Sequence, residues 1–506
     1  MFAGSCELFP RSSPKKCEVT ASAESNFAGR LVRRLGPCSY LIDAATGQSI
    51  GPADLPAMIA AYGTSLLSSG LEPGDRILVG CTLSLSSALV YLGAMYAGLV
   101  PVPVEERSVR DLAPALLKAT GAKAVWTEAG IREKSAHEVS ARFLHGDLAK
   151  DKEVAEIKPP AACGSSDLAA LMATSGSTGV PRFVRVTHEN LIANTEAIIR
   201  SQRLGDDERA MVILPVSYCF GASVMHTHLY KGGSVVFDRR FMFPDKVLRA
   251  TAEFGCTTFA GVPTVYNVLL RRSNIRQIAM PRLKRFLQAG GALAPQQISE
   301  MRAISPSTEF YVMYGQTEAT ARISCLESER WQEKPGSVGR PLDNVIVSIV
   351  DEEGNAVPSG HVGELLAKGP SISSGYLNNP EETHRVFRNG WLRTGDLARQ
   401  DEEGYLWIEG RKGAFLKMRG TRVSFPEVEA KVTAIPGVYE CAARAVNHPE
   451  AGEALVLFIV PEHGAKFELE DVRRHLPAHW AIDSVRVVSE LPKTSTGKIA
   501  VSSLPV

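Results

Sequence analysis

Apolar and polar positions alternate along this chain in two rhythms. Arg76–Val79 reads as a short buried strand, Ser84–Ala97 as a helix, Val102–Val104 as extended and Val109–Thr120 as a helix again. The same strand-then-helix order recurs at Arg209–Leu214 and Ala222–Tyr230, and at Ser234–Asp238 and Pro244–Phe254. A continuous apolar strand followed by a helix predicts an α/β fold with a doubly wound, mainly parallel sheet. Beyond about Gly410 the rhythm changes. Strands at Tyr439–Val446, Ala454–Val460 and Ser484–Val488 surround helices at Pro426–Ala434 and Leu469–Leu476. That predicts a small α+β unit of about 100 residues. The expected organisation is a large N-terminal domain of layered α/β subdomains (1–409), a hinge (410–413) and a small mobile C-terminal domain (414–506).

The uncharged stretch from Ala88 to Val104 is the one segment that invites a membrane reading. Gly98, Pro101 and Pro103 break it, and crossing a bilayer takes about 20 apolar residues, so a buried helix followed by a strand is expected. The N-terminus lacks an apolar stretch of signal-peptide length. Lys plus Arg (56) nearly balances Asp plus Glu (55), which speaks against a nucleic-acid surface or a polybasic membrane anchor. Nine cysteines without any Cys-x-x-Cys spacing read as reduced thiols of a cytoplasmic protein, not as a disulfide framework or zinc site. At 506 residues the chain holds roughly two to four domains' worth of core.

Candidate chemistry lies in short polar segments at strand ends. Thr174-Ser175-Gly176-Ser177-Thr178-Gly179-Val180-Pro181-Arg182 follows an apolar strand and precedes the extended Phe183–Val186. Its glycines let backbone N–H groups turn toward one anion, its hydroxyls add donors and Arg182 adds charge. It is not a Walker A loop, since no Gly-Lys-Ser/Thr follows at the required spacing. Taken alone it also reads as a flexible surface loop. Phe310–Met313 delivers Tyr314-Gly315-Gln316-Thr317-Glu318: a ring that can stack on a base, a glycine for close approach, a hydroxyl for a phosphate oxygen and a carboxylate for Mg²⁺. Arg393-Thr394-Gly395-Asp396 presents a carboxylate suited to ribose hydroxyls, and Thr496-Gly497-Lys498 places a lysine on a flexible loop. Each also has a plainer reading: a buried tyrosine, a capping aspartate, a solvated lysine.

In this order the segments TSGSTGVPR, YGQTE, RTGD, GRKGAFLKMRG and TGK resemble the adenylate-forming superfamily of acyl-CoA synthetases, peptide-synthetase adenylation domains and luciferases. The resemblance runs from about residue 40 to residue 500. It implies an ATP-dependent ligase in which a carboxylate attacks the α-phosphate, pyrophosphate leaves, the small domain rotates and a thiol takes the acyl group. It further implies that Thr174 to Arg182 hold the β- and γ-phosphates, and that Gly290, Gly291 and Ala292 flank adenine with Tyr314 stacking. Thr317 and Glu318 would meet the α-phosphate and Mg²⁺, and Asp396 and Arg411 the ribose. Lys498 would bridge the acid and the α-phosphate, while Lys417 and Gly420 would reach the acceptor tunnel in the rotated form.

Three positions depart from the family pattern. Arg182 stands for a lysine, Tyr218 for a frequent histidine and Gly413 for a hinge Asp or Lys. By family position the acyl pocket is walled by Tyr218, Cys219, Phe220, Gly221, Gly261, Val262, Tyr266, Gln288, Ala289 and Met313. This mixture suits a small or medium acyl or aryl acid. Gly221 occupies the place of the aspartate that holds an α-ammonium, which disfavours amino acids. The expected acceptor is coenzyme A or a carrier-protein phosphopantetheine. A stand-alone amino-acid adenylation enzyme and a non-catalytic nucleotide-binding homologue are the competing readings. His226 and His228, two apart with no other ligand nearby in the sequence, read as packing residues and not as a metal site.

Overall fold

The computed structural model describes residues 24–130, 141–149, 158–174, 181–412, 415–418, 421–448, 452–462, 465, 467–477, 480, 482–493 and 499–504. A nine-stranded sheet forms its centre. Glu309–Tyr314, Arg285–Gln288, Thr258–Gly261, Arg209–Val212, Ser234–Phe237 and Leu41–Asp43 run side by side and parallel. Antiparallel Ser324–Leu326, Arg340–Pro341 and Ser49–Ile50 finish its two edges. The inner strands are buried but for Arg209, which is partly exposed, as expected where helices cover both faces of a parallel sheet.

A second parallel sheet orders Val100–Glu105, Arg76–Cys81, Ala124–Thr127 and Arg142–His145. The Ala88–Val104 stretch divides between these layers. Its helix, Leu85–Tyr96, is capped by the Ser84 hydroxyl accepting from the Ser87 N–H, and its strand is Val100–Glu105. No helix among the described residues is long and apolar enough to cross a membrane.

Leu168–Thr174 pairs antiparallel with Arg182–Thr187, Thr174 opposite Arg182, so the phosphate-loop segment joins two paired strands. Helix His188–Ser201 follows at once, closed by a reciprocal Thr187–Asn190 capping box. An antiparallel sheet of Ile346–Val350, Gly363–Lys368, Trp391–Gln400, Phe387–Arg388 and Leu406–Arg411 completes the large part of the molecule.

The C-terminal region has its own three-stranded sheet, Val438–His448, Gly452–Pro461 and Ile482–Val487, with helices Phe425–Thr433 and Leu469–Arg473. Its apolar side chains form separate clusters, centred on residues such as Val428, Leu455 and Val472 on one face and Ala442, Phe458 and Leu491 on the other. The α/β architecture with a large N-terminal and a small C-terminal domain therefore stands.

Two element limits differ from the sequence expectation. The second C-terminal helix ends at Arg473 instead of Leu476, with the chain turning ahead of Pro477. The helix expected from Ala222 begins at Cys219. Cys219, Phe220 and Gly221 thus form its first turn, and that turn borders the candidate site.

Candidate active site

Strand Glu309–Tyr314 ends on Tyr314, Gly315 and a short 3₁₀ turn, Thr317–Ala319. Gly315 is there for space: a Cβ at this position would lie 2.0 Å from the Ala321 carbonyl oxygen and 2.8 Å from the Arg322 Cα. The chain folds back on itself here, and only glycine fits.

The Tyr314 hydroxyl donates to one oxygen of Asp396, and Arg411 Nε donates to the other at 3.2 Å. Asp396 and Arg411 are register partners on neighbouring antiparallel strands, which explains how two residues far apart in sequence arrive together. Asp396 beside it holds the Arg411 guanidinium above its ordinary value. Burial and the Asp396 charge together push the Tyr314 phenol up, so it serves as a donor. Gln316 donates to the Thr394 carbonyl at 3.4 Å, fastening the YGQTE and RTGD segments to each other.

Glu318 accepts a hydrogen bond from the Tyr376 hydroxyl at 2.7 Å. Burial and then Glu318 push the Tyr376 phenol up. Arg182, at the far end of the phosphate loop, pairs with Glu382 and stands 5.9 Å from the Tyr376 ring centre. Glu382 also holds Arg385, and these contacts keep its carboxyl below the usual range, Arg385 first. Tyr376 and Glu382 escaped the sequence reading; Gly375, at φ +106°, shapes the turn from which Tyr376 meets Glu318.

On the acid side, Thr317 donates to the Cys219 sulfur at 3.5 Å, so the first turn of helix Cys219–Lys231 abuts the nucleotide segment. Burial pushes the Tyr218 phenol up, and a Cβ at Gly290 (φ +88°) would lie 2.4 Å from its oxygen. Tyr218 therefore stands against the Gly290–Gly291 turn, which Gln288 ties down by donating to the Gly291 carbonyl at 2.7 Å. Gly221 is confined by backbone: a Cβ would lie 2.4 Å from the Pro215 oxygen and 2.5 Å from that of Leu214. Val262, Ala289 and Met313 are buried close behind. Tyr266 corrects the expected wall. It is fully buried, donates to the Leu287 carbonyl at 2.8 Å and packs against Phe286 and Phe310, so it belongs to the core behind the pocket. Gly261 faces that same core, its added Cβ meeting Val265 and Tyr266.

The two histidines are packing residues. His226 stacks on Tyr91 and meets the edge of Phe27; His228 bonds the Val224 carbonyl. Burial pulls their pKa down to about 3 and about 4. Ser175, Gly176, Ser177, Thr178, Gly179, Gly413, Gly420 and Lys498 lie outside the described residues, as does the side chain of Lys417 on strand Phe415–Met418.

A parallel sheet ending on Tyr314–Glu318, with Asp396 and Arg411 beside it and a closed apolar wall beyond Thr317, has the layout of an acyl-activating enzyme that uses a nucleotide. Residues 39–377 match the AMP-binding enzyme family, and residues 427–498 match the AMP-binding enzyme C-terminal domain. The chain belongs to the AMP-binding enzyme family and is an AMP-forming acid–thiol ligase by class. It is 31% identical over 461 residues to a feruloyl-CoA synthase of Amycolatopsis sp, covering 90% of this chain and 93% of the relative. It is 29% identical over 479 residues to a sulfoacetate–CoA ligase of Cupriavidus necator, covering 91% and 93%. Among solved structures, ATP-bound MatB from Rhodopseudomonas palustris superposes with a TM-score of 0.85 at 27% identity, covering 94% of this chain and 97% of that one.

Proposed function

We propose that the chain joins a small or medium carboxylic acid to coenzyme A through an acyl-adenylate. A carboxylate oxygen attacks the α-phosphorus of ATP and pyrophosphate leaves. The thiol then attacks the acyl carbonyl and AMP leaves. The observation that carries this reading is the convergence at Thr317: the interlocked Tyr314, Asp396 and Arg411 lie on one side and Cys219 on the other. Nucleotide-type and acid-type walls share that one residue, and the family relatives named above are CoA ligases.

In this reading Asp396 accepts from the ribose hydroxyls, while Arg411 and Tyr314 fix its orientation. The Thr317 hydroxyl turns from the Cys219 sulfur to donate to an α-phosphate oxygen, and Ser175 to Gly179 with Arg182 hold the outer phosphates. Lys498 draws the carboxylate and the α-phosphate together, where oriented cations and donors supply most of the catalysis. The described residues hold no group of three metal-ligating side chains, and the carboxylate that the nucleotide segment itself presents is Glu318. That fits Mg²⁺, which binds through one or two carboxylates plus substrate phosphates. When bound, the ion would neutralise charge on those phosphates.

Arg411 and Lys412 are anchored to the large domain, Lys412 through Glu364 at 3.1 Å and through its N–H to the Gly395 carbonyl at 2.7 Å. We take Gly413 as the pivot of domain rotation within 410–413, since glycine changes φ and ψ at little cost. Phosphopantetheine on a carrier protein is the alternative acceptor. Gly221 speaks against an amino acid, since its site has no room even for a Cβ.

The test is acid-dependent exchange of labelled pyrophosphate into ATP, followed by thioester formation with coenzyme A. Lys498→Ala is expected to abolish exchange yet leave thioester formation from supplied acyl-adenylate largely intact. A broad acid panel without any exchange, with ATP still bound, would falsify the proposal.

A further inference from the structure

Arg322 is a charged side chain in an apolar place. Its residue is 2% exposed, and its Nε is buried without a hydrogen-bond partner. Among the described residues no carboxylate pairs with it. The ionisable groups that feel its charge are the thiols of Cys219 and Cys325 and the phenol of Tyr218. Its guanidinium carbon lies 4.9 Å from the Phe220 ring centre. Burial pulls the guanidinium below its ordinary value.

The backbone of Arg322 is held firmly. Its N–H donates to the Asn194 side-chain oxygen at 3.3 Å, and its carbonyl accepts from the Asn194 amide at 2.9 Å. Its Cα packs against Gly315 of the nucleotide segment. From there the side chain extends to Tyr218, Cys219 and Phe220, the first wall of the acid pocket. A guanidinium stays protonated even when buried, so it cannot escape the cost of desolvation by losing its proton. A cation kept dry and unpaired at a substrate wall is matched by a substrate that carries the anion.

We infer that Arg322 reads a second anionic group on the acid, so that the preferred substrates are short carboxylic acids with a further carboxylate or sulfonate at the far end. The inference rests on the ligase reading above. The spacing supports a short spacer. Thr317, beside the reacting carboxylate, touches Cys219, and Arg322 touches Phe220; consecutive Cα atoms lie about 3.8 Å apart. Both contacts therefore fall on one helix turn, which favours a short spacer. A planar guanidinium can grip either terminus through two parallel N–H donors.

The experiment compares matched acids: butyrate with succinate, pentanoate with glutarate, and propionate with 3-sulfopropionate. Pyrophosphate exchange and coenzyme A thioester formation are measured for the wild-type chain, Arg322→Lys and Arg322→Leu. The wild type should favour the doubly anionic member of each pair by at least about tenfold in kcat/KM. Arg322→Leu should lose about 100-fold on those members while changing less than about threefold on the others, and Arg322→Lys should recover part of the loss. A wild type that prefers the singly charged acids overturns the inference and leaves the ligase reading standing. So does an Arg322→Leu variant that slows every acid alike, the mark of a structural role. No exchange with any acid, these pairs and aromatic acids included, removes the ligase reading and this inference with it. If Arg322→Leu does not fold, the wild-type preference and Arg322→Lys still decide.

Discussion

The nucleotide side and the acid side of the site treat charge in opposite ways. Around the nucleotide segments each key charge has a partner: Asp396 with Arg411 and Tyr314, Glu318 with Tyr376, Arg182 with Glu382. Facing the acid, Arg322 is drier than any of these and has no carboxylate among the described residues. Pairing holds side chains in place before ATP arrives, which suits a ligand common to the whole family. An unpaired cation leaves recognition to the variable ligand.

The small domain supplies a control. Glu429 is partly buried, accepts one N–H from Ala443 at 2.8 Å and pairs with no cation among the described residues. Burial raises its pKa to about 7. A carboxyl can shed its charge by binding a proton; a guanidinium cannot, and that difference is why Arg322 points to a ligand while Glu429 does not.

The strongest way to break the nucleotide side is Gly315→Ala. Its Cβ would strike backbone at 2.0 Å, and the variant should lose at least about 3 kcal/mol of stability and all exchange activity, read by thermal unfolding and by the exchange assay. Next comes Glu429, which sharpens the contrast. Its folded pKa is raised, so its stabilising contribution is full at acid pH and fades as pH climbs through about 7, by on the order of 3 kcal/mol. Glu429→Gln should flatten that dependence, seen in hydrogen exchange along Val438–His448; an unchanged slope would assign the effect elsewhere.

On the acid side, Gly221→Asp should cost roughly 1–3 kcal/mol through overpacking and should not confer activity on amino acids. Exchange driven by an amino acid in that variant would contradict the tight geometry. Asp396→Asn keeps the shape but loses the anion, and KM for ATP should rise about tenfold with KM for the acid nearly unchanged. The smallest effect belongs to Glu382→Gln. Arg182 is about half exposed, so releasing it should shift ATP affinity by less than about threefold.

The sequence alone determined the strand–helix order, the change of scale beyond Gly410, and the ordered polar segments by which the family is recognised. These are properties of neighbouring residues: periodicity, glycine content and spacing are written locally. It also showed that Ala88–Val104 would break into helix and strand, because prolines and a glycine interrupt it.

Only the tertiary structure decided which charges meet. Asp396 reaches Arg411 through antiparallel register and Tyr314 across 82 residues; Glu318 reaches Tyr376 across 58. Tyr266, which family position placed on the pocket wall, turned into the core, because its hydroxyl found a backbone carbonyl there. Arg322, in the run Ala321-Arg322-Ile323, carries no local sign of the packing that encloses it. Burial and pairing depend on chain segments that are distant in sequence, so no local pattern carries them.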